Sequence, residues 1–366
     1  MLNKNKYIKL CLTLFLGLLL CELSLRALFF LSHKNIIAYT SPERLLYERH
    51  PFLEYTLRPN VEINYGKIRL YINSLGFRGK EFDPDDARPF RVFVLGGSSV
   101  FNRPENDNIG FCAILEKKLQ AKYPDRDIEI VNAGVSGYTA YHSLINVSTR
   151  ILDYNPDAII VYHSWNDIKA WPYLSRKANY GQLYQRVYFP LETRHALRTL
   201  ANNSYLWLAI KPLRRQLRGF FPQRTRNASA VEKTLRPNEG GDTDYGKLVY
   251  KRNIRNIVTV AKKNRVQVLL INPLTLVHSR NSSEEKRRIA YRLVKVPAER
   301  LPQLMSDAGK ILEEVALEEH VPYIDLNKHI GQNLVNLFNQ IHLTPKGNEA
   351  VADYLSQHWD EIWLHE

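Results

Sequence analysis

Residues 91–99 read Arg-Val-Phe-Val-Leu-Gly-Gly-Ser-Ser: β-branched and apolar side chains that stop abruptly at two glycines and two hydroxyls. An apolar run of this length, bounded by glycine, predicts a strand buried on both faces. Four more runs share its character, at 128–131, 158–162, 266–271 and 321–326. The last is the weakest, because Pro322 has no N–H to give a ladder and fits only near a strand's start. Between and after these runs the apolar spacing turns helical, at about 109–122, 139–153, 246–264, 302–319 and 345–358. Buried strands alternating with helices predict an α/β domain on a doubly wound, parallel, five-stranded sheet.

Upstream of this block, 32–89 is irregular, with prolines at 42, 51, 59, 84 and 89. One strand-like run, 67–72, precedes Asn73-Ser74-Leu75-Gly76, a turn by composition. Further back, Lys4, Lys6 and Lys9 lead into an apolar stretch from Leu10 to Leu31, 22 residues broken only by Glu22 and Arg26. At about 1.5 Å per residue it spans a hydrocarbon core of about 30 Å. Glu22 and Arg26 stand four apart and share a helix face, where they partly neutralise each other. The expectation is an uncleaved signal anchor over 1–32, an extension over 33–89 and a main domain over 90–366. The lysines place the N-terminus in the cytoplasm and the body outside it. Two rival readings are a cleaved signal peptide with its apolar core at 10–20 and a lipoprotein leader ending at Cys21; neither finds the small residues it needs around the cut.

The third and fourth strands are separated by far more chain than a loop needs, so a cap is expected as an insert at about 168–245, with its own helix near 204–217. The insert is aromatic-rich at 171–189 and basic at 211–236, where eight basic residues, Arg214, Arg215 and Arg218 among them, meet one acid, Glu232. The whole chain of 366 residues carries 51 Lys and Arg against 37 Asp and Glu, a net charge of +14, so this segment supplies half of the excess. Such a patch suits an anionic surface; with the body outside the cytoplasm, nucleic acid is not an expected partner. Hydrophobic residues at 45% and charged ones at 24% exclude a disordered or fibrous chain. Of three cysteines, Cys11 and Cys21 lie in the apolar stretch, leaving only Cys112, which excludes a disulfide framework and a thiolate metal site.

Ligands of an open parallel sheet bind beyond the carboxyl ends of its strands. The first strand is followed there by Gly96-Gly97-Ser98-Ser99, the second by Asn132-Ala133-Gly134-Val135-Ser136-Gly137, and the third by His163-Ser164-Trp165-Asn166-Asp167. Asn339-Gln340-Ile341-His342-Leu343-Thr344-Pro345-Lys346-Gly347 precedes the last helix. Taken singly, Ser98 reads as a helix cap, Gly137 as a turn, Asn166 as a cap and His342 as a partner for a carbonyl. Together they supply a hydroxyl, a glycine amide, a carboxamide and an imidazole, the parts needed for acyl transfer. His142 and His163 read as packing or rim residues, and Asp167 as a structural carboxylate capping nearby amides.

These four blocks, in this order over roughly 90–360, resemble the SGNH, or GDSL-like, hydrolase superfamily. The resemblance implies a three-layer, flavodoxin-like sandwich and a serine esterase or acyltransferase that needs no metal or cofactor. It assigns Ser98 as nucleophile, with Gly97 where many members have Asp. It assigns Gly137 and Asn166 as oxyanion donors beside the Ser98 amide, and His342 as general base. Position 339 departs from the pattern: the superfamily's acid is here Asn339, a carboxamide that orients the ring weakly and does little for an imidazolium. The expected substrate is an ester-linked acyl group, most simply acetyl, on an extracytoplasmic glycan. Two alternatives are a lipid esterase at the membrane surface and a glycan-binding module that has lost catalysis.

Overall fold

The computed structural model describes residues 4–31, 45–65, 68–102, 109–174, 204–206, 209–210 and 243–363. Its centre is a parallel five-stranded sheet of β5 (Phe90–Gly96), β6 (Ile128–Gly134), β7 (Ala158–Tyr162), β8 (Gln267–Asn272) and β9 (Tyr323–Asp325), in the order β6-β5-β7-β8-β9. Numbered from β5, this is the flavodoxin-like order 2-1-3-4-5, as expected. Every residue from Arg91 to Gly96 is buried, which accounts for a run with no alternation of polar and apolar residues.

The described residues include the helices α1 (Lys4–Leu31), α2 (Ser98–Phe101), α3 (Phe111–Lys122), α4 (Ala140–Thr149), α5 (Trp165–Ala170) and α6 (Asp244–Lys263). They continue with α7 (Ser283–Arg288), α8 (Leu301–Glu319), α9 (Leu326–His329), α10 (Pro345–Gln357) and α11 (Trp359–Trp363). α3 packs on α10, while α6 packs on both α4 and α8, so the sheet is covered by two helical layers. A continuous apolar core joins the layers, with Val92, Phe93, Ile159, Ile160, Leu269, Leu312 and Val351 fully enclosed. Trp171, in a 3₁₀ turn after α5, is also fully buried, its ring against Tyr250 of α6.

Three expected boundaries move for local reasons. The last strand covers only Tyr323–Asp325, because Pro322 precedes it and Asp325 then caps α9 by accepting from the Asn327 amide. The helix expected at 139–153 ends at Thr149 and resumes as a 3₁₀ turn, Ile151–Tyr154. The run at 67–72 is one strand of a hairpin, β4 (Ile68–Ile72), paired antiparallel with β3 (Val61–Tyr65). A second hairpin, β1 (Tyr47–His50) with β2 (Glu54–Leu57), comes before it. The two hairpins bury Leu46, Leu53, Tyr55, Leu57 and Ile72 against Phe101, Val135 and Tyr138 of the main domain. Of the expected cap, Arg214, Arg215, Arg218 and most of the helix at 204–217 lie outside the described residues. Within that stretch, Tyr205, Leu206, Ala209 and Ile210 are helical. In α1, the stretch Lys9–Leu28 is long and apolar enough to cross a membrane, and none of its residues is buried inside the protein.

Candidate active site

The register of the sheet brings three of the four sequence blocks together. Gly96 pairs with Gly134 on one side and Tyr162 on the other, so β5, β6 and β7 end at one edge. Ser98, Gly137 and Asn166 therefore emerge side by side, at the crevice where the strand order reverses. Ser98 opens α2 and stays partly exposed, while Gly97 and Ser99 on either side are buried.

The fourth block arrives from the far end of the chain. Its loop is closed by the Phe338 amide donating to the His342 carbonyl and the Thr344 amide to the Asn336 carbonyl, at 3.1 and 2.9 Å. Thr344 then caps α10 by accepting from the Gly347 amide, and Pro345 occupies the first helical turn, where its missing N–H costs nothing. Asn348, fully buried on α10, donates to Asn102 Oδ1 at the end of α2 and accepts from the Phe111 amide. Asn348 was not anticipated from the sequence; it ties the helix behind His342 to the helix that begins with Ser98.

The result is a continuous hydrogen-bonded chain: Ser98 Oγ lies 2.8 Å from His342 Nε2, and His342 Nδ1 lies 2.9 Å from Asn339 Oδ1. The protonation pattern follows from the backbone. Asn339 Oδ1 also accepts from the amides of Ile341 and His342, at 3.1 and 3.0 Å, and only the oxygen end of a carboxamide can accept. Since that oxygen faces the ring, Nδ1 carries the proton and Nε2 presents its lone pair to the serine. The carboxamide therefore holds the productive tautomer firmly, where the sequence suggested only weak orientation. Phe338 stacks on the other side of the ring, 5.6 Å between centroids. Burial holds the His342 pKa down at about 4, so the imidazole is neutral and able to accept a proton throughout the neutral range.

Around Ser98 the expected oxyanion donors sit in a tight turn, Gly137, and in the first turn of α5, Asn166. Gly137 has φ +93°, a conformation that side chains with a Cβ rarely adopt. Asn166 is buried and donates from Nδ2 to the Tyr138 carbonyl at 2.9 Å. A Cβ at Gly97 would stand 2.5 Å from that same Nδ2, so a side chain here would have to displace the Asn166 carboxamide. The turn carrying Gly137 is clasped from outside the main domain: Tyr55 Oη donates to the Ser136 carbonyl at 2.8 Å, and Tyr138 Oη donates to the Tyr55 carbonyl at 2.7 Å. Nothing in the local sequence around Tyr55 signals this contact.

A second Ser, His and Asp lie close together beneath the site. Ser143 Oγ is 2.7 Å from His163 Nε2, but His163 Nδ1 is 3.9 Å from Asp167 Oδ2, beyond hydrogen-bond reach, and all three are buried. Asp167 accepts from the Ala140 amide at the start of α4, the capping role expected of it. Burial pushes its pKa up to about 8 and lowers those of His142 and His163 to about 3. These groups link α4 to α5 and so hold Asn166 against the turn of Gly137.

The model of the GDSL-like lipase/acylhydrolase family matches residues 94–350, from within β5 into α10. The chain belongs to that family. It is a serine hydrolase of the GDSL type, with the fold and the order of blocks that its sequence suggested. Similar solved structures include an α/β hydrolase from the metagenome of Lake Arreo, Spain, at 14% identity, covering 74% of this chain and 95% of that one, with a TM-score of 0.42. An acetylxylan esterase from Geobacillus stearothermophilus is similar at 14% identity over 72% and 92%, with a TM-score of 0.40. A GDSL-like lipase from Bacteroides thetaiotaomicron gives 12%, 76%, 92% and 0.42. No curated protein matches the sequence.

Proposed function

We propose that the protein is an esterase or acyltransferase working through an acyl-enzyme on Ser98, with His342 as general base and Asn339 in the acid's place. The observation that carries this reading is the hydrogen-bonded chain from Ser98 Oγ through both nitrogens of His342 to Asn339 Oδ1. Ser98 Oγ attacks the acyl carbon as its proton passes to His342 Nε2. The amides of Ser98 and Gly137 and Asn166 Nδ2 receive the developing oxyanion. The imidazolium then returns the proton to the departing alcohol, and water or an acceptor hydroxyl repeats the sequence on the acyl-enzyme.

In this reading α1 is a signal anchor that keeps the body outside the cytoplasm, and the substrate is an acetyl ester on an extracytoplasmic glycan. A lipid ester at the membrane surface is the second reading, favoured by contact between residues 204–206 and α1. Fluorophosphonate labelling of wild type and Ser98→Ala tests the chemistry. The expected result is a covalent adduct on wild type alone; an unlabelled, folded wild type would leave a binding module in its place. A panel of acetylated oligosaccharides and longer-chain lipid esters then separates the two substrates.

A further inference from the structure

Glu22 holds an unusual position for a carboxylate. It sits on α1 among exposed leucines, including Leu18, Leu19 and Leu23, and its side chain is only partly exposed. Its two oxygens accept four hydrogen bonds: from Arg26 Nε at 2.8 Å, Ser204 Oγ at 2.8 Å, the Tyr205 amide at 2.9 Å and the Leu206 amide at 2.9 Å. The Arg26 guanidinium in turn lies over the Tyr205 ring, 4.7 Å from its centroid. Glu22 and Arg26, expected to neutralise one another, therefore share a third party: the start of a helical segment 182 residues further along the chain.

From Lys9 to Glu22 the helix rises about 20 Å at about 1.5 Å per residue. That is about 10 Å short of the far side of a hydrocarbon core of about 30 Å. At that depth two unfavourable groups meet. An ionised carboxylate is costly in lipid unless it is paired, and helix-opening amides have no water to donate to. Each supplies what the other lacks. In water both would be solvated separately, and the contact would gain little. Beyond the contact the segment turns apolar side chains outward: Ile210 is 45% exposed.

We propose that Glu22 is a receptor for the insert, holding Ser204, Tyr205 and Leu206 against α1 and Ala209 and Ile210 in the outer leaflet, so that the enzyme touches lipid acyl chains at a second segment. This rests on the reading of α1 as an anchor, and its consequence is that these residues of the insert are fixed at a set depth beside the bilayer.

The test uses the full chain with Cys11→Ser and Cys21→Ser, reconstituted in mixed phosphatidylethanolamine and phosphatidylglycerol vesicles. Cys112 is buried and does not compete for label. Spin labels are placed singly at Ile210→Cys and, as a reference within α1, at Leu16→Cys. Collision with oxygen and with a water-soluble nickel chelate reports lipid or water at each site. The expected result is lipid at both positions, with Glu22→Leu moving only the label at 210 into water and Glu22→Gln retaining it through the amide oxygen. Cleavage of a small soluble ester stays within about twofold of the parent in both variants. Lipid at 16 but water at 210 in the parent overturns the clamp and leaves the anchor standing. Water at both positions overturns the anchor, and the clamp with it. A label at 210 that stays in lipid with Glu22→Leu removes Glu22 from the role.

Discussion

Replacing Asn339 by Asp places one negative charge beside the Nδ1 of His342 and changes little else. The Ile341 and His342 amides that hold Oδ1 would serve a carboxylate equally well. In a serine protease triad the loss of the acid costs about 10⁴-fold, much of it through the wrong tautomer. Here the tautomer is already correct, so only the charge contribution remains to be gained. Two unit charges about 4 Å apart at an effective dielectric constant of about 20 attract by about 4 kcal/mol. Partial exposure of both residues and desolvation of the new carboxylate reduce this to about 1.4 to 2.7 kcal/mol. The expectation is thus a gain of about 10- to 100-fold in kcat on a simple ester near pH 7.5. The same attraction raises the pKa of His342, now about 4, by about one to two units. The acid limb of the kcat/KM profile should move up with it, because the base must be neutral to accept a proton. Stopped assays across pH 3.5–9 on purified wild type and variant measure both quantities at once. A limb that moves without a gain in kcat would show that no imidazolium forms in the rate-limiting step. If neither changes in a folded variant, Asn339 does not face Nδ1 of His342, and the reasoning fails.

Asn166→Ala should lower kcat by about 10²- to 10³-fold with little change in Tm, since one oxyanion donor is lost while the fold keeps its core. Gly97→Ala should resemble it more mildly, by about tenfold or more. The new methyl displaces Nδ2 of Asn166 rather than backbone, so a large drop in Tm with normal kcat would count against that account. Tyr55→Phe leaves the Ser136 carbonyl without its phenol donor and should lower kcat about three- to tenfold at unchanged KM. Tyr71→Phe, which removes a hydroxyl bonded to Glu81 at the surface, should leave kcat alone. For Asp167, whose pKa burial raises to about 8, the folded state holds the proton more tightly than the unfolded one. Its stabilising contribution is complete below about pH 4 and is lost as the pH rises through about 8. Wild-type Tm should fall between pH 7 and 8.5, above the range in which His142 and His163 act, and Asp167→Asn should flatten that fall; an unchanged slope in differential scanning fluorimetry would refute it.

The main domain was readable because its strands are buried on both faces. Runs such as 92–95 and 158–161 contain no polar residue to blur them, and the turns that follow carry the candidate site residues. The hairpins at 47–72 were only half visible. Their strands are four or five residues long, separated by Pro51 and Pro59, and they pack against a surface that the sequence does not specify. Ser98, Gly137 and Asn166 could be picked out because each closely follows a buried strand, and His342 because it closely precedes a helix. The role of Asn339 could not be read, because which end of a carboxamide faces the ring depends on two backbone amides. Tyr55 and Asn348 were invisible for another reason: their partners lie 81 and 246 residues away.

The clasp between Tyr55 and Tyr138 also bears on how this enzyme can be taken apart. The family match begins at residue 94, inside β5, and a chain cut just ahead of that strand keeps every strand of the parallel sheet and every residue of the Ser98–His342–Asn339 chain. It would nonetheless bare the apolar face around Phe101, Val135 and Tyr138, and leave the Ser136 carbonyl without its phenol. Such a fragment would be sticky, and slow as well. The portable unit, for grafting onto another leader or for preparation without α1, therefore begins near Leu46, and the segment between α1 and the sheet travels with the enzyme as part of its working parts.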